Sequence, residues 1–319
     1  MLPSVPTTRG PRRARKPRVV VLGDLVLDVV LATARPLQAS SDVPGSVTFV
    51  QGGSAANAAR WVARLGARSI LVVAVGRDAT GRSLVRAVRS DGVMVHVSLP
   101  AGARTGRIGV LVSPAGERSF VQDRGAAELL HPDELQAKWF AAADALHLPI
   151  YSLLGPLGAA GHRAIELGRA AGATISVDLA SIGPLLSGGR RAARALIAEV
   201  APDVLFATAA EAEALLGLEP LEDLLTFASI AAVKRGDKGA TVLARDGAQT
   251  IRFEAATKAL RATDSTGAGD AFDAGFLVGW LSARAGGRST SASLHRAALT
   301  GHRAATRQLT TRRVELPIG

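Results

Sequence analysis

"GGSAANAARWVARLGARSILVVAVG", Gly52 to Gly76, decides the fold. Two glycines lead into an alanine-rich stretch in which Ala58, Trp61, Val62 and Leu65 fall on one stripe at helical spacing. Gly66 stops that stretch. "SILVVAVG" then runs almost wholly apolar, as a strand covered on both faces does. A glycine turn, an amphipathic helix and a doubly buried strand in succession make one unit of an α/β protein.

The same plan extends in both directions. Branched apolar segments recur at "RVVVLGD", "RIGVLVSP", "ALHLPI", "TISVDL", "DVLFAT", "IAAVKRG" and "TVLAR". "GAAGHRAIELGRAAG" and "AAEAEALLG" repeat the helical spacing, each closing at glycine. This alternation predicts an α/β three-layer sandwich, a mostly parallel sheet with helices on both faces. Residues 30–52 and 104–124 break the rhythm, being strand-like with turn residues and no helix. "SPAGERSF" reads as a hairpin with Pro114-Ala115-Gly116 at its turn. Together these two regions predict a small antiparallel sheet, either a lid that shuts water out of a site or ordinary edge strands.

The bulk composition narrows the classes. With 319 residues, 48% hydrophobic and 20% charged, the chain can bury a core of its own. There is no cysteine and so no disulfide, which suits a reducing cytoplasm. A net charge of +11 raises the question of nucleic acid. However, Arg9, Arg12, Arg13, Arg15, Lys16 and Arg18 crowd into the proline- and glycine-rich "TTRGPRRARKPR". Residues 1–17 therefore read as a disordered basic tail, and no nucleic-acid partner is expected. Aromatic residues, at 4%, offer little stacking surface. "VVVLGDLVLDVVLA" carries two aspartates and reads as a buried strand rather than a secretory signal, and no stretch suits a membrane span. The expected organisation is one domain over 18–310, with a C-terminal tail at 311–319 that carries no reading.

Four stretches carry chemistry. In "DSTGAGDAFDAGFL", Asp264 to Leu277, the small residues Gly267, Ala268 and Gly269 precede Asp270 and a helical spacing. Amides at a helix N-terminus favour an anion, and an ionised Asp270 beside them can accept a proton. A plain helix cap is the alternative. Asn57, just inside the helix after Gly52 and Gly53, can both donate to and accept from sugar hydroxyls, or can simply follow a glycine turn. Asp24 and Asp28 follow "VVVLG", where carboxylates at the end of a parallel strand meet ligands. Solvated loop acids are the alternative there. "VKRGDKGATVL", from Lys234, places Gly236 and Gly239 around a basic turn that is either part of a nucleotide site or a hairpin. There is no P-loop, dinucleotide fingerprint or hydrolase elbow, and the six histidines lack zinc-ligand spacing.

In this order these stretches resemble the PfkB family of carbohydrate kinases, of the ribokinase-like superfamily. The likeness runs from about Val19 to about Thr306 and is fullest at Gly52–Gly76 and at Asp264–Leu277. It implies transfer of the γ-phosphoryl of ATP to a hydroxyl of a sugar, or alternatively of a nucleoside, with Mg2+ bridging the phosphates. A non-catalytic homologue that only binds is a third alternative. By the resemblance Asp270 is the base, and the amides of Gly267, Ala268 and Gly269 form the anion hole. Asp24, Asp28, Gly52, Gly53 and Asn57 hold the acceptor, while Lys234, Gly236, Gly239, Thr266 and Gly267 line the nucleotide site. The metal-associated N-x-x-E motif aligns with "TAAE", keeping Glu211 but placing Thr208 where the family has asparagine. Both residues are expected to act on the metal through water. Val26 replaces an asparagine of ribose-using members, which counts against ribose. Phe120, Trp139 and Tyr151 are the candidates for stacking a nucleobase. The resemblance also raises a homodimer paired through its lid strands.

Overall fold

Alternate residues of a single strand build both halves of the core. In β1 (Arg18–Gly23), Val20 and Leu22 pack toward the helices Gly158–Ala170 and Gly189–Val200. Val19 and Val21 pack the other way, with Ala58, Trp61 and Val62 of the helix Ser54–Arg64. All four β1 residues are fully buried. Each such side chain contributes roughly 1.5–3 kcal/mol by leaving water, so the strand is pinned from both faces.

The computed structural model describes residues 15–258, 265–311 and 313–316. The basic segment before Arg15, and Asp264, lie outside the described residues. After β1 come β2 (Val26–Thr33), β3 (Gly45–Gly52), β4 (Arg68–Ala74), β5 (Met94–Ser98), β6 (Thr105–Val112) and β7 (Arg118–Gly125). The second half contributes β8 (Ala145–Pro149), β9 (Thr174–Asp178), β10 (Val204–Thr208), β11 (Ile230–Lys234), β12 (Ala240–Asp246) and β13 (Gln249–Ala255). Among the described residues these strands form a nine-stranded sheet in the order β13-β12-β11-β10-β9-β8-β1-β4-β5. Pairing is parallel from β11 to β5 and antiparallel at β11–β12 and β12–β13. The three-layer α/β sandwich is as expected.

The second sheet has the order β3-β2-β6-β7 and projects from the body. It differs from the antiparallel sheet expected: β2 pairs antiparallel with β3 but parallel with β6. The chain leaves β2 through β3, crosses the main sheet, and returns as β6, so the two strands run the same way. The β6–β7 hairpin is antiparallel and turns at Gly116, whose φ is +83°. Lid residues start at Val26, because Asp24-Leu25 breaks the chain between β1 and β2.

Four parallel strands finish at one edge of the main sheet: β1 before Asp24, β9 at Asp178, β10 at Thr208 and β11 at Lys234. The helix Ala268–Ala285 begins at that same edge. Ligands of open α/β sheets bind outside such strand ends. Among the described residues no helix is long and apolar enough to cross a membrane.

Candidate active site

Gly267 adopts the left-handed conformation (φ +76°) and turns the chain into the helix Ala268–Ala285, whose first turn carries Asp270. An ordinary side chain would be strained there. The Ala268 amide donates to the Ser265 carbonyl at 3.2 Å within the turn. Asp270 sits in a cavity of about 330 Å³ between the strand ends and the lid, and is itself partly exposed. Ser54 Oγ donates to Asp270 Oδ1 at 2.6 Å, and Asn57 Nδ2 donates to Asp270 Oδ2 at 2.9 Å. Burial pushes the Asp270 carboxyl up to about 6, against the pull of these two hydrogen bonds. At neutral pH it is therefore ionised, as a group that accepts a proton must be.

A second cavity, of about 280 Å³, lies beyond the same turn and is lined by Gly236, Gly239, Ser265, Ala268, Phe272 and His302. Lys234 and Gly269 line both cavities and so stand at their junction. The basic turn after β11 is both things the sequence allowed: a hairpin into β12 and a wall of this cavity. Lys234 reaches inward. Its Nζ lies 2.9 Å from Asp178 Oδ1 and 3.0 Å from Asp273 Oδ2. Burial works against the ammonium, but these two carboxylates outweigh it and hold its pKa above the ordinary lysine value.

The lid-side residues divide by their partners. Asp24, 5% exposed, accepts from the Tyr151 hydroxyl at 2.6 Å, the Ala55 amide at 3.2 Å and Arg124 Nη1 at 3.2 Å. It is a hub that joins the end of β1, the start of a helix and the lid. Asp28 is not at the end of a central strand as its sequence position implied. It is the third residue of β2, in the lid, facing Val50 and Ile108 across its neighbours. It nevertheless borders the same cavity, as do Gly53 and Val26. Gly52 and Gly53 are required as glycine. A Cβ on Gly52 would fall 1.9 Å from Asp28 Oδ1, and Gly53 has φ +101° with the Asp24 carbonyl oxygen 2.5 Å from its would-be Cβ. Asn57 Oδ1 also accepts from Gln51 Nε2 at 3.3 Å, so the asparagine spans the acid and the lid strand β3.

Thr208 and Glu211 form a capping box on the helix Ala209–Leu216. Thr208 Oγ1 accepts from the Glu211 amide at 3.2 Å, and Glu211 Oε2 accepts from the Thr208 amide at 2.7 Å. Both also line the large cavity. Burial, then the charge of Asp178, push the Glu211 carboxyl up, against its bonds from Thr208. Among the described residues no three His, Cys, Asp or Glu side chains cluster as a metal cage. Two hard oxygen donors at the cavity wall fit magnesium, which keeps several waters and takes few protein ligands.

Several participants were not singled out from sequence. They are Ser54, Asp178, Asp273, Arg118, Arg124 and Gln308. Arg118 of the lid reaches Thr266 Oγ1 beside the glycine turn. Gln308 donates to the Thr266 carbonyl at 2.9 Å and accepts from Trp61 Nε1 at 2.9 Å, tying the two signature stretches together. Of the aromatics, Phe120 and Tyr151 line the large cavity, with Arg124 4.1 Å above the Tyr151 ring. Trp139 stacks on His96 elsewhere.

The chain is similar to known proteins over most of its length. The pfkB family carbohydrate kinase profile matches residues 16–317. Fructokinase-1 of Oryza sativa subsp. japonica is 32% identical over 272 residues, covering 81% of this chain and 81% of that protein. Fructokinase-1 of Zea mays is 32% identical over 270 residues, 80% of each. Among solved structures, adenosine kinase from Sinorhizobium meliloti superposes with a TM-score of 0.78 at 26% identity, covering 93% of this chain and 94% of that one. Fructokinase from Vibrio cholerae O395 shares the fold, with a TM-score of 0.75 at 23% identity over 93% and 94% of the two chains.

Proposed function

The chain belongs to the pfkB family of carbohydrate kinases and is an ATP-dependent carbohydrate kinase, and from that premise we propose that Asp270 is its general base. The acceptor hydroxyl gives its proton to Asp270. Its oxygen then bonds to the γ-phosphorus of ATP as the bond from phosphorus to the β–γ bridging oxygen breaks, and ADP leaves. The observation that carries this reading is the placement of Asp270: a carboxylate raised to about 6, in a cavity that meets a second cavity at Gly269 and Lys234.

The amides of Gly267 and Gly269 meet the transferring group, joined by that of Ala268 when it leaves Ser265. Phosphoryl transfer is loose, so positioning and charge stabilisation matter most. Asp28, Gly52 and Gly53 hold acceptor hydroxyls, with Asp24 stiffening their wall, and Asn57 steers both acceptor and base. Lys234, Gly236, Gly239 and Thr266 border the nucleotide. Glu211 and Thr208 would hold magnesium through water, and the ion would supply positive charge against the phosphates. The lid, with Arg118 on Thr266, excludes water from the junction. A cytoplasmic location fits a cysteine-free chain that consumes ATP.

A neutral sugar is the acceptor class, and fructose is the first to test, since the plant relatives are fructokinases. An adenosine-like nucleoside is the second reading, favoured by the Sinorhizobium meliloti neighbour and by Phe120 and Tyr151 at the cavity wall. ATP consumption measured against a panel of sugars and nucleosides separates them. On the best acceptor, Asp270→Ala should lose on the order of 10²–10⁴-fold in rate while still binding ATP. A variant that keeps most of the wild-type rate would remove Asp270 from the role.

A further inference from the structure

The C-terminal segment has no reading in the sequence, yet it delivers a charged side chain to Asp28, which borders the acceptor cavity. Beyond the helix Thr290–Thr310 the chain returns along β3, an edge strand of the lid. The Leu316 amide donates to the Phe49 carbonyl at 2.7 Å, and Glu315 bridges Val50 in antiparallel register. The Leu316 side chain packs into the cluster that holds Leu27 and Phe49. Anchored in this way, Arg313 donates through Nη2 to Asp28 Oδ2 at 2.6 Å and to the Gln51 carbonyl at 2.7 Å. Both side chains of the ion pair are withdrawn from water, at 15% and 9% exposure.

We propose that Arg313 is a positioning residue for the acceptor: it fixes the rotamer in which Asp28 meets a sugar hydroxyl, and so makes the C-terminal segment part of the cavity's specificity. This rests on the reading of Asp28 as an acceptor ligand. A buried carboxylate is costly without a partner, and the Arg313 guanidinium bonds to this one. The bond fixes Oδ2, while Oδ1 lies over Gly52, where the absent Cβ makes room for it. A guanidinium shared between a carboxylate and a main-chain carbonyl holds direction as well as charge, which an ammonium does not. The acceptor class this favours is a neutral polyol, whose hydroxyl donates to an already oriented carboxylate.

The test is steady-state kinetics with fructose, or whichever panel sugar is turned over fastest, on Arg313→Met, Arg313→Lys, Asp28→Asn and the Arg313→Met/Asp28→Asn double variant. Loss of a charge-assisted bond predicts that Arg313→Met raises the acceptor KM about tenfold or more, with the ATP KM within about twofold. Arg313→Lys should recover part of that loss and, by keeping the charge, provides a folded variant if Arg313→Met unfolds. In the Asp28→Asn background Arg313→Met should add little, because the two act as one unit. A lowered unfolding midpoint with an unchanged acceptor KM, or additive effects in the double variant, would overturn the proposal. An Asp28→Asn enzyme with an unchanged acceptor KM would instead remove Asp28 as a ligand, a separate outcome visible in the single variant.

Discussion

Ser54 Oγ donates to Asp270 Oδ1 at 2.6 Å, joining residues 216 positions apart in the chain. The helix that follows the paired glycines thus holds the acid that opens another helix. Such a bond favours the ionised carboxylate, and burial disfavours it. Ser54→Ala removes the first influence and leaves the second. The Asp270 pKa should therefore rise from about 6, and the acid limb of kcat/KM should move to higher pH. Activity at pH 8 should fall much less than activity at pH 6. A pH–rate profile superimposable on the wild type would show that the hydroxyl does not tune the base.

The same carboxyl makes a prediction about stability. Its pKa rises from 3.8 to about 6 on folding, so the folded chain binds this proton more tightly than the unfolded one. Stability from this group is greatest below about pH 4, is lost as pH rises through 4 to 6, and stays lost above that. Asp270→Asn, which cannot ionise, should be more stable than the wild type by about 1–3 kcal/mol at pH 7–8 and nearly equal to it at pH 4. Urea unfolding at the two pH values measures this. A gain of equal size at both would assign the effect to packing rather than to charge.

Lys234 offers a third. One ammonium serves Asp178 and Asp273, and Asp273 is fully buried. Lys234→Met would leave both carboxylates uncompensated, at a cost of about 3–5 kcal/mol. Adding Asp273→Asn should recover part of that loss, since it removes one stranded charge. A double variant less stable than Lys234→Met alone would mean that the pair does not act through charge.

These contacts also show what the sequence could and could not reveal. Strands β1, β4 and β8–β11 were legible because they are buried on both faces and read as apolar runs. The strands β5, "MVHVS", and β13, "QTIRFEA", were not, because they are the two edges of the sheet: only Val95 and Ser98 of β5 are buried, and no residue of β13 is. The glycine turn and its acid are local features, and a local reading found them. Asp178 and Asp273 lie 56 and 39 positions from Lys234, and nothing in spacing links them. Asp28 reads from sequence as lying at a strand end because "VVVLGDLVLDVV" is one apolar run. The break at Asp24-Leu25 is marked only by a glycine and an acid, and it sends Asp28 into the lid.

Thr208, standing where the family has asparagine, allows the last test. Its hydroxyl is already occupied as the cap that accepts from the Glu211 amide at 3.2 Å. Asparagine caps a helix about as well as threonine, and its amide adds a donor that a metal-bound water can use. Thr208→Asn should therefore keep the unfolding midpoint nearly unchanged. One added water-mediated bond should lower the magnesium concentration for half-maximal activity by about 2–10-fold. Titrating activity with magnesium at saturating ATP and acceptor measures this. An unchanged magnesium midpoint in a stably folded variant would leave this pair as a helix cap alone.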